Sequence, residues 1–241
     1  MGLSDSEKER YRRQLLVEGW HQESLKNSKV LVVGLGGIGS TCASYLASAG
    51  IGFLRLCDSD KVELSNLNRQ ILYSTNNLGQ SKVIQAQKRL SALNPDITIQ
   101  TVNERLTQKN AAEYVKDCHL IIDCLDNHES RAILNIISVE LRIPFIHGAI
   151  DDWQGQLGFF RPPLTPCLAC IMPDFVDKGR VTPVFGALPG LIGCMQATAA
   201  IHYLMSGQAQ LAGKLLVINA DTMSFEKITF DRNPNCPVCG G

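Results

Sequence analysis

Six residues, Gly34-Leu35-Gly36-Gly37-Ile38-Gly39, join an apolar run at 30–33 to a helical pattern in which Ile38, Cys42, Tyr45, Leu46 and Ala49 recur on one face. A glycine-rich turn between a strand and a helix lets the backbone approach a polyphosphate closely. The free N–H groups of the helix start favour its negative charge. Gly34, Gly36, Gly37 and Gly39 are therefore the candidate phosphate cradle. The turn alone serves ATP enzymes and nicotinamide-dependent oxidoreductases equally, so the rest of the chain has to distinguish them.

Further strands are predicted at 53–57, 97–102, 120–124 and 144–149, separated by helical patterns near 82–93, 109–116 and 129–141. This alternation predicts a parallel sheet covered on both faces. Residues 4–17 read as one polar, charge-rich helix. After His147 the texture changes, with strand character at 153–160, a proline-rich stretch at 161–166, a loop at 174–185, a small-residue helix at 186–205, and strands at 215–219 and 225–230. The expected fold is α/β: a Rossmann-like, mostly parallel sheet with helices on both faces, continuing into a C-terminal antiparallel extension. At 241 residues and 45% hydrophobic content the chain suits a single domain. Its expected parts are an N-terminal helical arm (1–28), a nucleotide-binding core (29–150) and an extension (151–241).

The 23 basic and 23 acidic residues cancel, so no global field draws the chain to nucleic acid or an anionic membrane. No charged leader with an apolar core opens it, and the apolar stretch 186–204 is interrupted by Pro189, Gly190 and Gln196. A cytoplasmic protein without a membrane partner is expected. In such a chain nine cysteines argue for metal ligands and buried thiols rather than disulfides. Cys167-Leu168-Ala169-Cys170 and Cys236-Pro237-Val238-Cys239 each offer two thiolates to one tetrahedral ion, and four thiolates leave no position open for a substrate. The pairs read as a structural zinc knuckle; redox dithiols and iron–sulfur ligation use the same spacing. Cys42, Cys57, Cys118, Cys124 and Cys194 read as buried packing. His147 reads as a hydrogen-bonded residue near the core, and Asp123, inside a strand, as structural.

The glycine turn is followed in order by Asp58-Ser59-Asp60, Ser65-Asn66-Leu67-Asn68-Arg69-Gln70, Lys82 and Asp126-Asn127. With Arg10-Tyr11-Arg12-Arg13-Gln14 near the start and Asn233-Pro234-Asn235-Cys236-Pro237-Val238-Cys239-Gly240 near the end, this series resembles the HesA/MoeB/ThiF family of adenylyltransferases, relatives of ubiquitin-activating enzymes. The resemblance covers nearly the whole chain. It implies an ATP site built from Asp58, Asp60, Ser65, Asn66, Arg69, Lys82, Asp126 and Asn127. Within it, Asp58 would accept from ribose hydroxyls, Asn66, Arg69 and Lys82 would hold the triphosphate, Asp126 would bind Mg²⁺, and Asn127 would support the adenine or ribose side. Arg13 would reach the triphosphate of a neighbouring subunit in a homodimer.

These roles suit the chemistry. Attack of a carboxylate on the α-phosphorus needs charge neutralisation, which a planar arginine fork and a lysine point charge provide, and Mg²⁺ typically needs only one or two carboxylates. The implied reaction is ATP-dependent adenylation of the C-terminal glycine carboxylate of a small ubiquitin-like sulfur-carrier protein ending in Gly-Gly, with release of pyrophosphate. Other outcomes of the same fold are adenylation of a peptide or tRNA-linked carboxylate, or a non-catalytic carrier-binding subunit. Some relatives carry a cysteine after the first zinc pair for a covalent carrier link. Here Phe175 and Val176-Asp177-Lys178-Gly179 stand in that loop, which favours adenylation alone.

Overall fold

The computed structural model describes residues 2–173 and 182–240. Its frame is one eight-stranded sheet in the order β3-β2-β1-β4-β5-β6-β7-β8. The parallel part is β1 (Lys29–Val33), β2 (Phe53–Cys57), β3 (Thr98–Val102), β4 (Leu120–Asp123) and β5 (Phe145–Asp151). β6 (Gln154–Phe160), β7 (Lys214–Asn219) and β8 (Ser224–Thr229) add to the same sheet in antiparallel fashion. After β3 the chain returns to the other side of β1, so β1 and β4 lie side by side with their connections running in opposite directions. In open α/β sheets ligands bind at this switch point, outside the carboxyl ends of the strands.

The central strands are mostly apolar because both faces are covered, with Arg55 in β2 and Asp123 at the end of β4 as polar exceptions. Val30, Val32, Leu54, Leu56, Leu120 and Ile122 point into one core, shared with α3 (Gly37–Ala49), α4 (Lys82–Leu93) and α8 (Ala187–Ser206). Leu31, Val33 and Ile121 alternate to the other face, where α5 (Ala111–Val115) and α6 (His128–Leu141) bring Val115, Leu134 and Ile137. Among the described residues no helix is long and apolar enough to cross a membrane.

Two helical expectations change. The stretch 4–17 divides into α1 (Asp5–Arg10), a turn, and a 3₁₀ segment at Gln14–Leu16, ahead of α2 (Gln22–Lys26). Tertiary contacts break it: the Tyr11 ring is buried, its hydroxyl accepts from Asn94 Nδ2 at 2.9 Å, and Arg10 is tied to Asp96 and the Leu93 carbonyl. In α3, Ile38, Cys42, Leu46 and Ala49 are buried, but Tyr45 is 54% exposed. Cys42, Cys57, Cys118 and Cys124 are buried as expected, whereas Cys194 is only half-buried.

Cys167, Cys170, Cys236 and Cys239 meet where α7 (Leu168–Ile171) packs beside α6. Their sulfurs lie 3.9 Å (167 to 170), 3.6 Å (167 to 236) and 3.4 Å (170 to 239) apart. A disulfide would be near 2.05 Å. Four sulfurs at about 2.3 Å from one zinc ion stand about 3.8 Å from each other, so the separations fit a tetrahedral thiolate site. Burial pushes the Cys167 and Cys170 thiols up, whereas at Cys236 the N–H groups of Cys239 and Val238 help outweigh desolvation and bring it down to about 7. Asn135 of α6 donates to Cys167 Sγ at 3.6 Å and accepts from Leu168 N at 2.8 Å, joining the cluster to the parallel half of the sheet.

Purified, reduced protein is expected to carry one zinc ion per chain by metal analysis. Stripping it with a chelator should lower Tm by at least roughly 5 °C, since a structural metal site contributes folding free energy directly. Metal-free protein with an unchanged melting curve would contradict the assignment.

Candidate nucleotide site

β1 ends at Val33, and Gly34 turns the chain with φ 89° into the start of α3. A methyl group at position 34 would stand 2.7 Å from the Cys124 carbonyl oxygen, and one at position 39 would stand 1.9 Å from the Gly34 carbonyl oxygen. No larger residue fits either place. The opening of α3 is capped by Gly36 without any side-chain bond, which leaves its N–H groups available to an anion.

Leu35, at the tip of the turn, is held on both sides. Its N–H donates to Asp58 Oδ2 at 2.7 Å, and its carbonyl accepts from Tyr73 Oη at 2.9 Å and Ser40 Oγ at 3.3 Å. Asp58 also accepts from Asp60 N at 2.8 Å. Burial pushes its carboxyl up, opposed by the nearby Lys82 charge and by these two backbone donors. A carboxylate has about four lone-pair sites, so Asp58 retains capacity for a ribose hydroxyl.

Lys82 is 5% exposed at the first position of α4, and its Nζ lies 2.8 Å from Asp60 Oδ2. Arg69 follows a short 3₁₀ turn at Leu64–Asn66. Its Nη1 donates to the Ser65 carbonyl and Asn68 Oδ1, both at 2.9 Å, and among the described residues it forms no ion pair. Its Cγ would be 3.3 Å from a methyl group on Gly37, which sets the guanidinium stem beside the first turn of α3. Pro189 of α8 presses on the same glycine, and Gly186 meets the Asn68 carbonyl, so the start of α8 supports this corner. Asp126 is exposed two residues beyond Cys124, the residue against which Gly34 packs.

The glycine turn, Asp58, Asp60, Arg69, Lys82 and Asp126 therefore gather at the carboxyl ends of β1, β2 and β4. Asn66 and Asn127 take local duties as well. Asn66 is buried and its Oδ1 accepts from Glu63 N at 3.1 Å, closing the turn that carries Arg69. Asn127 caps α6 by accepting from Ser130 N at 2.9 Å.

Arg13 is not brought to this site within the chain. It is exposed, and its neighbours dock at the far end of α3, where Tyr11 Oη touches Gly50 and Gln14 Nε2 donates to the Ala49 carbonyl at 3.0 Å. Thirteen helical residues separate that end from the glycine turn, about 20 Å at 1.5 Å per residue and well beyond an arginine's reach. Asp123 and His147 are fully buried and bonded to each other at 2.7 Å, as their reading as structural and near-core residues anticipates.

Two residues of the site escaped sequence reasoning. Tyr73 orients Leu35, and Gln70 is 4% exposed, with its Oε1 lacking a hydrogen-bond partner among the described residues and its Nε2 3.7 Å from a methyl position on Gly36. Gln70 closes the segment that holds Arg69, which was its only signal. Phe175 and residues 176–179 lie outside the described residues, so the loop expectation has no structural counterpart here.

The model of the ThiF family matches residues 11–238. The sulfur carrier protein adenylyltransferase of Thermus thermophilus is 40% identical over all of this chain and 93% of its own length. The molybdopterin-synthase adenylyltransferase of Escherichia coli K12 is 39% identical over 99% of this chain and 98% of its own. The crystal structure of PaaA superposes with a TM-score of 0.81 at 28% identity, over 96% of this chain and 76% of that one. E. coli MccB with MccA-N7isoASN has the same fold, with a TM-score of 0.87 at 24% identity over 96% and 75% of the two chains. With its glycine turn, cations and carboxylates arranged at the switch point, and with likeness along its whole length, the chain belongs to the ThiF family and is an adenylyltransferase.

Proposed function

We propose that this enzyme adenylates the C-terminal glycine carboxylate of a small ubiquitin-like sulfur-carrier protein ending in Gly-Gly, acting as a cytoplasmic homodimer on Mg·ATP. The observation that carries the reading is the pairing of two cations, Arg69 and Lys82, with an exposed carboxylate, Asp126, around a bare helix start. Full-length likeness to an enzyme named for sulfur-carrier adenylation supplies the substrate class.

In this reaction a carrier carboxylate oxygen attacks the α-phosphorus, the bond from that phosphorus to the bridging oxygen breaks, and pyrophosphate departs with the electron pair. No protein nucleophile is needed. The N–H groups at the start of α3 bind the phosphates, and Arg69 and Lys82 neutralise the charge that grows on the leaving pyrophosphate. Asp58 orients the nucleoside. Asp126, together with the phosphates, would hold Mg²⁺, and the ion would supply further neutralisation of the same charge. Asp126 fits this role as a single exposed carboxylate, because Mg²⁺ keeps most of its waters. The zinc knuckle takes no part in the chemistry.

ATP–pyrophosphate exchange tests the substrate. Exchange should depend on a ubiquitin-like protein with a free Gly-Gly terminus and vanish when that terminus is truncated or amidated. Exchange driven instead by a short peptide or a tRNA-linked carboxylate would replace the carrier reading with one of those.

Asp126→Ala and Arg69→Ala should each lower adenylation by about 10²–10³-fold without loss of fold, the usual effect of removing one preorganised contact to developing charge. Near-normal turnover at saturating Mg·ATP would remove that residue from the mechanism.

Arg13, about 20 Å along α3 from its own glycine turn, acts across the two-fold axis on the partner's triphosphate. Arg13→Ala and Asp126→Ala homodimers should both be nearly inactive, while mixed dimers regain one complete site. Verified mixed dimers as inactive as their parents would end the shared-site model.

A further inference from the structure

The peptide just before Asp126 is held from below by a buried ion pair that the catalytic reading does not use. Asp123 is 0% exposed and Arg131, on α6, is 4% exposed. Arg131 Nε donates to Asp123 Oδ2 at 2.8 Å, and its Nη2 donates to the Leu125 carbonyl and, at 3.5 Å, to the Gly148 carbonyl. Asp123 Oδ1 accepts from Leu125 N at 3.0 Å, and its Oδ2 also meets His147 Nδ1 at 2.7 Å. Burial opposes the charged form of Asp123, yet Arg131 and His147 hold its carboxyl below the usual range. Desolvation lowers His147 in turn, against the pull of Asp123. The network extends through Gln196, whose Nε2 donates to the Asp123 carbonyl at 2.7 Å while its Oε1 accepts from Cys124 Sγ at 3.1 Å.

A buried pair of this kind rarely adds net stability over an apolar pair, because desolvating two charges offsets their attraction. What it does here is geometric. Leu125 is gripped at both backbone ends, its N–H by Asp123 and its carbonyl by Arg131, and Asp126 is the next residue. We infer that Arg131, braced by Asp123, is a positioning residue for Asp126: the grip on the Leu125 peptide fixes where the Asp126 carboxylate stands. The inference rests on the reading of Asp126 as the metal ligand. A planar guanidinium suits it, since one fork reaches a carboxylate and a carbonyl together and a lysine ammonium lacks that geometry.

The test measures metal binding itself. Mn²⁺ serves as the probe, titrated by electron paramagnetic resonance into the full-length protein with a non-hydrolysable ATP analogue, for Arg131→Lys, His147→Gln, Asp126→Ala and the parent. Arg131→Lys keeps the charge beside Asp123 but loses the fork, and should weaken Mn²⁺ by about 10–100-fold, as loss of an outer partner of a metal ligand does. Its affinity for the metal-free nucleotide should be unchanged. His147→Gln removes a partner of Asp123 that does not touch Leu125, and should bind Mn²⁺ like the parent. Should Arg131→Lys fail to fold, the charge-free pair Asp123→Asn with Arg131→Gln is held to the same criterion.

Parent-like binding in Arg131→Lys, with loss in Asp126→Ala, would overturn the positioning role and leave the metal-ligand reading intact. Parent-like binding in both would overturn the metal-ligand reading and the inference with it. Loss in Arg131→Lys without loss in Asp126→Ala, or equal loss in His147→Gln, would show an effect that does not run through the Leu125 peptide and would also overturn it.

Discussion

Contact between two stretches of main chain at the switch point governs the rest of this molecule. Gly34 lies so close to the Cys124 carbonyl that any side chain would intrude, and Gly39 closes on Gly34 more tightly still. These contacts draw the end of β1, the start of α3 and the end of β4 into one small volume. The anion-attracting helix start and the segment bearing Asp126 then become neighbours through backbone packing. Asp58, Tyr73 and Ser40 hold the backbone of Leu35 at the tip of the turn. The side chains expected to meet phosphate stand on this backbone frame.

α6 links that frame to the end of the chain. Asn127 caps its start, and Arg131 and Asn135, four residues apart within the helix, share one face. Arg131 grips the peptide before Asp126, and Asn135 bonds the thiolate cluster through Cys167 and Leu168. One helix face thus connects the knuckle with the nucleotide edge. Polar groups do this inside an otherwise apolar layer, where an unsatisfied group would cost about 1–3 kcal/mol.

Much of this was legible from residue order because the informative signals are local. The strand at 53–57 and the helix at 82–93 appear at their expected bounds, since each is a periodic apolar pattern bounded by turn residues. The cysteine pairs announced a four-sulfur cluster by spacing alone. Sequence failed where distant partners decide. The helix expected at 4–17 breaks at Tyr11 because Asn94 and Gly50, far along the chain, claim its ring. Tyr45 matches the periodicity of the buried face of α3 but is exposed, since periodicity gives a direction and not what covers it. The grip of Asp123 and Arg131 on Leu125 was invisible for the same reason. A charged residue in a helical pattern reads as surface until the fold shows that a strand carboxylate lies beneath it. Sequence order also could not show that the segment bearing Arg13 docks through Tyr11 and Gln14 at the far end of α3 from its own site, which gives the cross-subunit reading its geometric motive.

A metal held by the four cysteines would also change the topology of the chain as a polymer. Cys167 and Cys236 are 69 residues apart, so a metal joining them closes a ring around α8, β7 and β8. Closing a loop of that size removes about 4 kcal/mol of conformational entropy from an unfolded chain if the link persists there. Antiparallel strands added at a sheet edge depend on such long-range closure, because their contacts with the parallel half are costly to form by diffusion alone. With a metal bound, a cut within the ring would leave two polypeptides still clasped as one particle, separable only once the metal is withdrawn and the sheet melts.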